Sequence, residues 1–514
     1  MTYSRDNNSN DAFVQRYAER FRLEIDKDWT PRESRLHIYK MFLDATIYDN
    51  LSPFHIEYQE GSADNSGYIK LQHRRPSVIY GIPKIIVNES TSMLFGEEHF
   101  PVVRCEHDAT TDFLKYITDH CNLKYAMLNA AKTGAIGSVC MLVKVLEEKF
   151  YFDVIGTADM MPFFDRMRPD ELIRVVQKKK TDGATLSSQG YSIDKDDLKK
   201  KFFIQREWNQ TQEIYYIPWK CEDDEGHIPR IDADLTVSHN FGFVPIVWIK
   251  NTPHTHHIDG ECTFGTVIDF CIEIDYQLSQ LGRLLKYNSD PTLVVKNPST
   301  LEGQQIIKGV GALNLDEKGD AYLLEMSSGA TNSVIDYVRC LREFALESVR
   351  GNRTNPDKLS AIHSGKALQM LNSALISLVD EFRLSYGEYG LLKVYKMVLN
   401  IYAFMKGKID TGEYKPASED CSSHLSLKWP EWYPATPQDK LQQAQTLSTL
   451  RHDKIISEET AINTVADEYG IVDTDEELKT VQAERKLEMD REQEYNSKSS
   501  APKAKMTDRE GDTG

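Results

Sequence analysis

The strongest constraint on the fold is one uninterrupted run of helical periodicity in the second half of the chain. Apolar residues recur every three or four positions from Ser364 to about Lys406. A helix over this run would be about 60 Å long at 1.5 Å per residue, far above the usual length. The sequence therefore predicts one very long helix. Its apolar stripe consists of Leu368, Leu371, Leu375, Leu378, Val379, Phe382, Tyr386 and Tyr389.

Two further helices are predicted upstream, and together they form a stalk. The segments Thr263 to Lys286, with Thr263 as candidate N-cap, and Ala330 to Arg350 each carry an apolar stripe. A short β-rich insert with a turn over Asp316 to Asp320 separates them. A stalk two helices wide cannot bury both stripes, so neighbouring copies in a closed ring would supply the missing surface. The residues predicted to pack in the stalk are Val267, Cys271, Leu278, Leu281, Val338 and Leu341.

The rest of the chain predicts an α+β fold. Two helices are expected between Asp11 and about Tyr48, and another over about Thr110 to Thr133. Alternating apolar residues after Gly137 then predict at least five short strands. Beyond the long helix, Thr436 to about Gln493 predicts a small helical domain, and the polar tail from Glu494 is expected to be disordered.

Composition narrows the class of protein. No run approaches the roughly 18 apolar residues that a membrane span needs, so we expect no membrane association and a cytosolic site of synthesis and assembly. The eight cysteines form no C-x-x-C pair, which predicts reduced thiols. The formal net charge of −18 argues against a protein that coats nucleic acid, because neutralising phosphates requires an excess of lysine and arginine. This charge is compatible with a protein through which nucleic acid passes without being held tightly.

A Gly-Lys pair at the start of the long helix, Gly365 and Lys366, suggests a nucleotide phosphate site. The Walker pattern requires glycine five residues before the pair's glycine and serine or threonine directly after the lysine, but this chain has Ser360 and Ala367 there. The favoured interpretation is a helix start with Ser364 as N-cap. An enzyme that binds nucleotide through Lys366 remains the alternative.

A histidine-rich loop suggests a metal site, because imidazole and carboxylate groups are the usual ligands of zinc. His254, His256 and His257 are followed by Asp259 and Glu261. No second ligand pair accompanies them at a spacing typical of a zinc site. A polar loop between a strand and a helix accounts for the cluster, and the sequence predicts no cofactor and no catalytic residues.

Four segments in order give the chain a family resemblance. They are GIPKIIVNESTSMLFGE, FGFVPIVWIKN, TFGTVIDFCIEIDYQLSQLGRLLKYNSDPTLVVKN and SGKALQML, the last heading the long helix. This order resembles the portal proteins of tailed bacteriophages, over about Glu33 to Tyr469. The resemblance implies a structural protein that forms a dodecameric ring at one capsid vertex, through which double-stranded DNA is packaged and later ejected. Another virion protein, such as a tail adaptor or minor capsid component, is the second alternative.

The resemblance implies a portal fold with an α/β wing, a two-helix stem, a small α/β clip, a very long wing helix and a helical crown. The expected boundaries are an N-terminal polar arm at 1–32, the wing at 33–262 with a return strand at 422–434, stem helices at 263–287 and 330–350, the clip at 288–329, the tunnel loop at 351–363, the long wing helix at 364–407, the crown at 436–493 and a disordered tail at 494–514.

The resemblance also implies partners and contact residues. The partners are other copies of the chain, double-stranded DNA without sequence preference, the terminase large subunit, a tail adaptor or head completion protein, and the major capsid and scaffolding proteins. Arg350 is also a candidate cap of the second stem helix. The DNA-facing residues implied for the tunnel loop are Arg350, Asn352, Arg353, Thr354, Asn355 and Lys358, and those implied for the terminase-facing clip are Lys296, Lys308, Asp316, Glu317, Lys318 and Asp320.

Overall fold

A computed structural model shows the chain as two compact units. The main unit comprises Met1–Asp357 and Gln369–Trp432, and the C-terminal unit comprises Lys358–Leu368 and Tyr433–Gly514. The structure describes residues 11–58, 67–223, 227–252, 257–289, 292–298, 315–324, 328–351, 369–405, 408–417, 424–433, 437–469 and 474–499.

The N-terminal residues belong to the core of the main unit. Helix α1 (Ala12–Phe21) buries Val14, Tyr17 and Phe21, and helix α2 (Pro31–Leu43) begins in a capping box between Thr30 and Glu33. The prediction that residues 1–32 form a polar arm is therefore wrong for residues 11–32, which the structure describes. The apolar side chains of α1 recur at helical spacing, and burying them against α2 outweighs the polarity of the residues around them.

Three helices follow in the main unit, and the third of them packs against apolar strands. The helix predicted over Thr110 to Thr133 is split in two, because Asn122 takes the left-handed conformation with φ 57°. The first of the three helices has Pro83 in its first turn and Gly96 as its C-cap. These helices are α3 (Ile82–Phe95), α4 (Asp108–His120) and α5 (Leu123–Gly134).

The strands confirm the α+β prediction. They are β1 (Ser52–Pro53), β2 (Arg74–Arg75), β3 (Val102–Arg104), β4 (Ser138–Leu146), β5 (Lys149–Gly156), β6 (Met160–Phe164), β7 (Leu172–Asp182), β8 (Lys201–Asn209), β9 (Gln212–Tyr216), β10 (Trp219–Lys220), β11 (Ile231–Ser238), β12 (Ile246–Lys250) and β15 (Ser426–Lys428), with a short helix α6 (Gly183–Ser188) after β7. A three-stranded antiparallel sheet in the order β12-β4-β5 lies beside a larger sheet in the order β11-β9-β8-β7-β6, in which β10 also pairs with β8. The return strand β15 pairs with β3.

The predicted stalk is a pair of helices, α7 (Ile268–Ser289) and α8 (Ser328–Ser348). A 3-10 turn at Gly265–Val267 precedes α7, and Thr263 does not cap it. The Thr263 hydroxyl instead accepts a hydrogen bond from the Asn251 side-chain amide at 2.8 Å. Because that hydroxyl is engaged with the loop after β12, the helix starts later than the sequence predicts.

Between these helices, β13 (Thr292–Pro298) pairs with β14 (Leu315–Leu324) in antiparallel register. The turn predicted over Asp316 to Asp320 is wrong, because these residues lie within β14. Lys296 pairs with Asp320, but Pro298 pairs with Leu315, so the register shifts between the two pairs. The turn-forming residues are accommodated by this irregularity in the ladder, and the chain direction does not reverse.

The predicted long helix is present from Ser373 to Met405, but it is not a single α-helix. Helix α9 (Ser373–Phe382) and helix α10 (Leu392–Met405) are joined without a break by a π-helical segment, Arg383–Leu391. The predicted stripe is buried at Leu375, Leu378, Val379, Phe382 and Tyr386, but Leu371 is exposed because a turn at Asn372 precedes α9. The predicted start at Ser364 and the residue Leu368 lie outside the described residues.

The C-terminal unit contains the predicted helices of the crown. Glu458 pairs with Arg451 and Arg485, so one carboxylate joins its three helices. The prediction of disorder from Glu494 is wrong as far as Ser499, because the last helix continues to that residue. The residues of this helix before Glu494 are rich in glutamate, lysine, arginine and glutamine, which have high helix propensity. Residues 500–514 lie outside the described residues. The helices are α11 (Pro437–His452), α12 (Glu458–Tyr469) and α13 (Thr474–Ser499).

Candidate functional site

The helix pair α7 and α8 packs its apolar faces into the main core. Val267 and Cys271 are buried there, and Ala345 of α8 and Val349 directly after it are buried in the same cluster. The other predicted packing residues are partly buried. Of these, Leu278, Val338 and Leu341 lie against the cluster, and Leu281 lies one turn further along α7.

A second apolar stripe on α8 faces outward. Tyr337 and Phe344 are 47% and 53% exposed, and Cys340 between them is exposed as well. Their spacing of three and four residues places them on one side of the helix. The part of the chain that the structure describes does not bury this side, which is the situation that the sequence predicts for a stalk two helices wide.

A buried carboxylate fixes α7 to the segment before α3. Asp275 is 3% exposed and accepts hydrogen bonds from the Tyr48 hydroxyl at 2.9 Å and from the Tyr80 backbone N–H at 2.7 Å. Burial raises the pKa of Asp275 to about 6. The two hydrogen bonds act in the opposite direction and lower this pKa, because they stabilise the carboxylate. One turn further along, the Ser279 hydroxyl accepts a hydrogen bond from the Val78 backbone N–H at 3.0 Å. These two side chains attach the Val78–Tyr80 segment to the helix.

Helix α8 ends in a Schellman motif with arginine at its left-handed position. The Arg350 N–H donates to the Glu347 carbonyl at 3.2 Å and the Gly351 N–H donates to the Leu346 carbonyl at 2.7 Å. Arg350 has φ 56°, a conformation that glycine usually supplies at this place. The backbone of Arg350, and not its charge alone, therefore terminates the helix.

The Arg350 side chain forms a two-point ion pair with Glu381 of α9. The two terminal nitrogens of its guanidinium group donate to the two carboxylate oxygens at 2.8 and 3.0 Å, and one nitrogen also reaches the Ser377 hydroxyl at 3.4 Å. The hydrogen bonds that Glu381 accepts from the guanidinium group raise the pKa of Arg350. Arg350 thus joins the end of α8 to the long helix.

The π-helical segment packs closely against its neighbours through two glycines. A Cβ atom at Gly387 would overlap the Trp429 ring, and one at Gly390 would lie 2.8 Å from the Ile249 side chain of β12. Arg383 of this segment lies over the Trp432 ring, with its guanidinium carbon 3.3 Å from the ring centre. Burial lowers the pKa of Arg383 to about 10. The segment is a tightly packed junction in which a side chain larger than glycine would not fit.

Most residues implied for the tunnel loop lie outside the described residues. They are Asn352, Arg353, Thr354, Asn355 and Lys358, together with Lys366 of the alternative nucleotide site. Of the residues implied for the clip, Lys296 lies on β13, Asp316, Glu317 and Lys318 lie on β14, Asp320 is exposed on β14, and Lys308 lies outside the described residues. No observation tests the contact roles predicted for these residues, so they remain predictions.

The histidine-rich loop shows no metal geometry where it is described. His254 and His256 lie outside the described residues, and Asp259 is held by Arg32, which donates to both carboxylate oxygens at 2.6 and 2.8 Å. Asp259 also accepts a hydrogen bond from Ser138. Within the described ranges, no three histidine, cysteine or acidic side chains converge on a point that could hold a metal ion.

Sequence reasoning missed two residues of this region, Asp275 and Glu381. Asp275 left a signal, because a charged residue interrupts the apolar run CIEIDYQL at a position that a buried helix face requires. Glu381 left none, since an acidic residue beside the stripe of a long helix looks like ordinary solvated surface. Only the fold brings Glu381 to Arg350.

None of the described helices combines the length and the apolar character that crossing a membrane requires. A family model described as phage portal protein, SPP1 Gp6-like, matches residues 56–491. The match starts later than the predicted resemblance, which begins near Glu33, and continues past Tyr469 into α13. A comparison with curated proteins gives no match to the chain.

Proposed function

The chain belongs to the family of SPP1 Gp6-like phage portal proteins, and from this premise we propose that about twelve copies form a ring through which double-stranded DNA is packaged and later ejected. As a phage portal protein the chain is a component of the virion capsid. The ring would assemble in the host cytoplasm before it enters the virion.

The observation that carries this proposal is the family match over residues 56–491, most of the chain. The portal family is structural, which favours a conduit over an enzyme that binds nucleotide through Lys366. It also favours a portal over a tail adaptor or minor capsid component. The outward stripe of Tyr337, Cys340 and Phe344 supports the ring, because a neighbouring copy would cover it.

We propose that DNA slides through the ring without being held tightly. Copies that each carry a net charge of −18 repel phosphates on average, and a few cations near the bore make brief contacts with the DNA backbone. Arg353 and Lys358 are the proposed contacts, with Asn352, Thr354 and Asn355 beside them and Arg350 at the base of the loop. These contacts would be independent of sequence, because they reach phosphates and not base edges.

We further propose that residues 288–329, which include β13 and β14, form the clip that meets the terminase large subunit and later a tail adaptor. Lys296, Lys308, Asp316, Glu317, Lys318 and Asp320 are the proposed contact residues of this segment. The wing would contact the major capsid and scaffolding proteins, and the C-terminal unit would form the crown inside the capsid.

Ring formation is the first test of this function. The purified chain is expected to form rings of about twelve subunits in negative-stain images, with a mass by light scattering that agrees with the images. A chain that stays monomeric in both measurements at micromolar concentration and physiological salt would contradict the proposed function.

The DNA contacts have a separate test. Arg353→Glu combined with Lys358→Glu is expected to leave rings intact and to reduce packaged DNA at least tenfold, because the new carboxylates repel phosphates in the bore. The matched control is Arg166→Glu combined with Arg168→Glu, which reverses two exposed cations between β6 and β7. Normal packaging by the first variant would remove these contact residues and leave the portal function in place.

A further inference from the structure

The ion pair between Arg350 and Glu381 involves the residue directly before the proposed tunnel loop. Its geometry is two-pronged, with both carboxylate oxygens engaged at 2.8 and 3.0 Å. A planar guanidinium group that meets a carboxylate in this way fixes orientation as well as distance. The contact therefore determines how the two side chains, and the helices that carry them, face each other.

Both partners stand on elements that are themselves firmly placed. Arg350 follows Val349 and Leu346, which are buried in the main core, and its backbone completes the Schellman motif. Glu381 lies between Val379 and Phe382, which are buried on the long helix. The side chains thus have little freedom to separate unless α8 and α9 move apart.

We propose that Glu381 is a positioning residue of the portal, which holds Arg350 and so fixes the C-terminal end of stem helix α8 on the long helix α9. The proposal rests on the proposed function, because the chain between these helices contains the residues proposed to meet DNA. A loop whose starting point is fixed relative to the following helix can present its cations to the bore at the same place in every copy of the ring.

The ion pair also couples the motions of α8 and α9. A displacement of α8 along the stem would pass to α9 through this contact, and from α9 through the continuous π-helical segment to α10. About 40% of each side chain is exposed, so salt should weaken the coupling. The stem and the long helix would then move together at low salt and more independently at high salt.

The test compares Glu381→Gln with Glu171→Gln in assembled full-length rings. Glu171→Gln is the matched control, because Glu171 pairs with Arg168 at 2.8 Å on an exposed hairpin away from this contact. In Glu381→Gln, exchange of the Arg350 and Gly351 amide hydrogens is expected to rise about fivefold, a change within the range that an exposed pair of good geometry can produce. Packaged DNA is expected to fall about fivefold, while Glu171→Gln matches the wild type in both measurements.

A swapped pair separates positioning from a general structural effect. Arg350→Glu alone is expected to reproduce the rise in amide exchange, and Arg350→Glu combined with Glu381→Arg should recover at least half of the amide protection. Amide exchange is the measurement for these two variants, because Arg350 also lies at the base of the loop proposed to meet DNA and reversing its charge would affect packaging directly. Wild-type exchange and packaging in Glu381→Gln, or no recovery of amide protection in the swapped pair, would overturn the positioning role. Neither result would bear on the proposed function, which fails only if the wild-type chain forms no rings or packages no DNA.

Discussion

Tyr337→Lys combined with Phe344→Lys is expected to convert assembled rings into single subunits and short oligomers. Both aromatic side chains are about half exposed on the outer side of α8, so they contribute little to the folding free energy of the single chain. A neighbouring copy that covers the stripe would bury the remaining apolar surface, which stabilises each contact by about 1 kcal/mol per side chain. Lysine removes this gain and places two ammonium groups where water is excluded.

The effect is large because a closed ring repeats the same contact at every subunit. Losing about 3 kcal/mol at one contact weakens its association roughly a hundredfold, and a ring of about twelve subunits has as many contacts as subunits. Analytical ultracentrifugation at micromolar concentration should therefore show subunits where the wild type shows rings. The variant subunit should keep its circular dichroism spectrum, since neither side chain is buried in the single chain.

The matched control places a charge at an exposed aromatic residue elsewhere. Tyr125 on α5 is 72% exposed, and Tyr125→Lys is expected to leave the ring intact. Cys340 gives an independent measurement, because its thiol lies in the same stripe and should react with maleimide more slowly in rings than in dissociated subunits, with Cys340→Ser as the blank. Rings that survive both lysines, or equal labelling of Cys340 in the two states, would show that this face is not a contact between copies.

The helices were predictable where local periodicity and burial agree. The stalk stripes and the long stripe from Leu375 to Tyr386 face the core as their spacing predicts. Two of the errors lie where tertiary contacts override local signals. Thr263 turns its hydroxyl to Asn251, and the π-helical segment fits Trp429 against Gly387, and neither contact depends on neighbouring residues alone. The break at Asn122 is different, because asparagine takes the left-handed conformation more readily than most residues.

The contact between Arg350 and the long helix was not predictable from the sequence. Arg350 was identified as a cation at the end of a stem helix, with capping and DNA contact both open. The structure shows how its backbone ends the helix, while its charge is engaged by Glu381, about 30 residues away in sequence. A pairing over such a distance has no signature in either segment, because each residue alone looks like solvated surface.

Asp275→Asn is expected to change how stability depends on pH. Burial raises the pKa of Asp275 from about 4 to about 6, so the folded chain holds this proton more tightly than the unfolded chain does. The stabilisation is fully present below pH 4 and is lost as pH rises through 6. A shift of about two units corresponds to about 3 kcal/mol, by which ionised Asp275 weakens the fold at neutral pH relative to acid. Asparagine does not ionise, so urea unfolding followed by tryptophan fluorescence should show the variant gaining about 2 kcal/mol on the wild type between pH 4.5 and 7.5, the part of this change that falls above the pKa of the unfolded carboxyl.

Tyr48→Phe tests the same carboxylate with the opposite sign. The Tyr48 hydroxyl donates to Asp275 and lowers its pKa, so removing it should raise that pKa further and extend the loss of stability to higher pH. Tyr48→Phe combined with Asp275→Asn should lose this extra dependence, because no ionisable carboxyl remains at position 275. Equal pH profiles for the wild type and Asp275→Asn would show that the carboxyl titrates alike in the folded and unfolded chains. In that case the attachment of Val78–Tyr80 to α7 would not depend on the charge of Asp275.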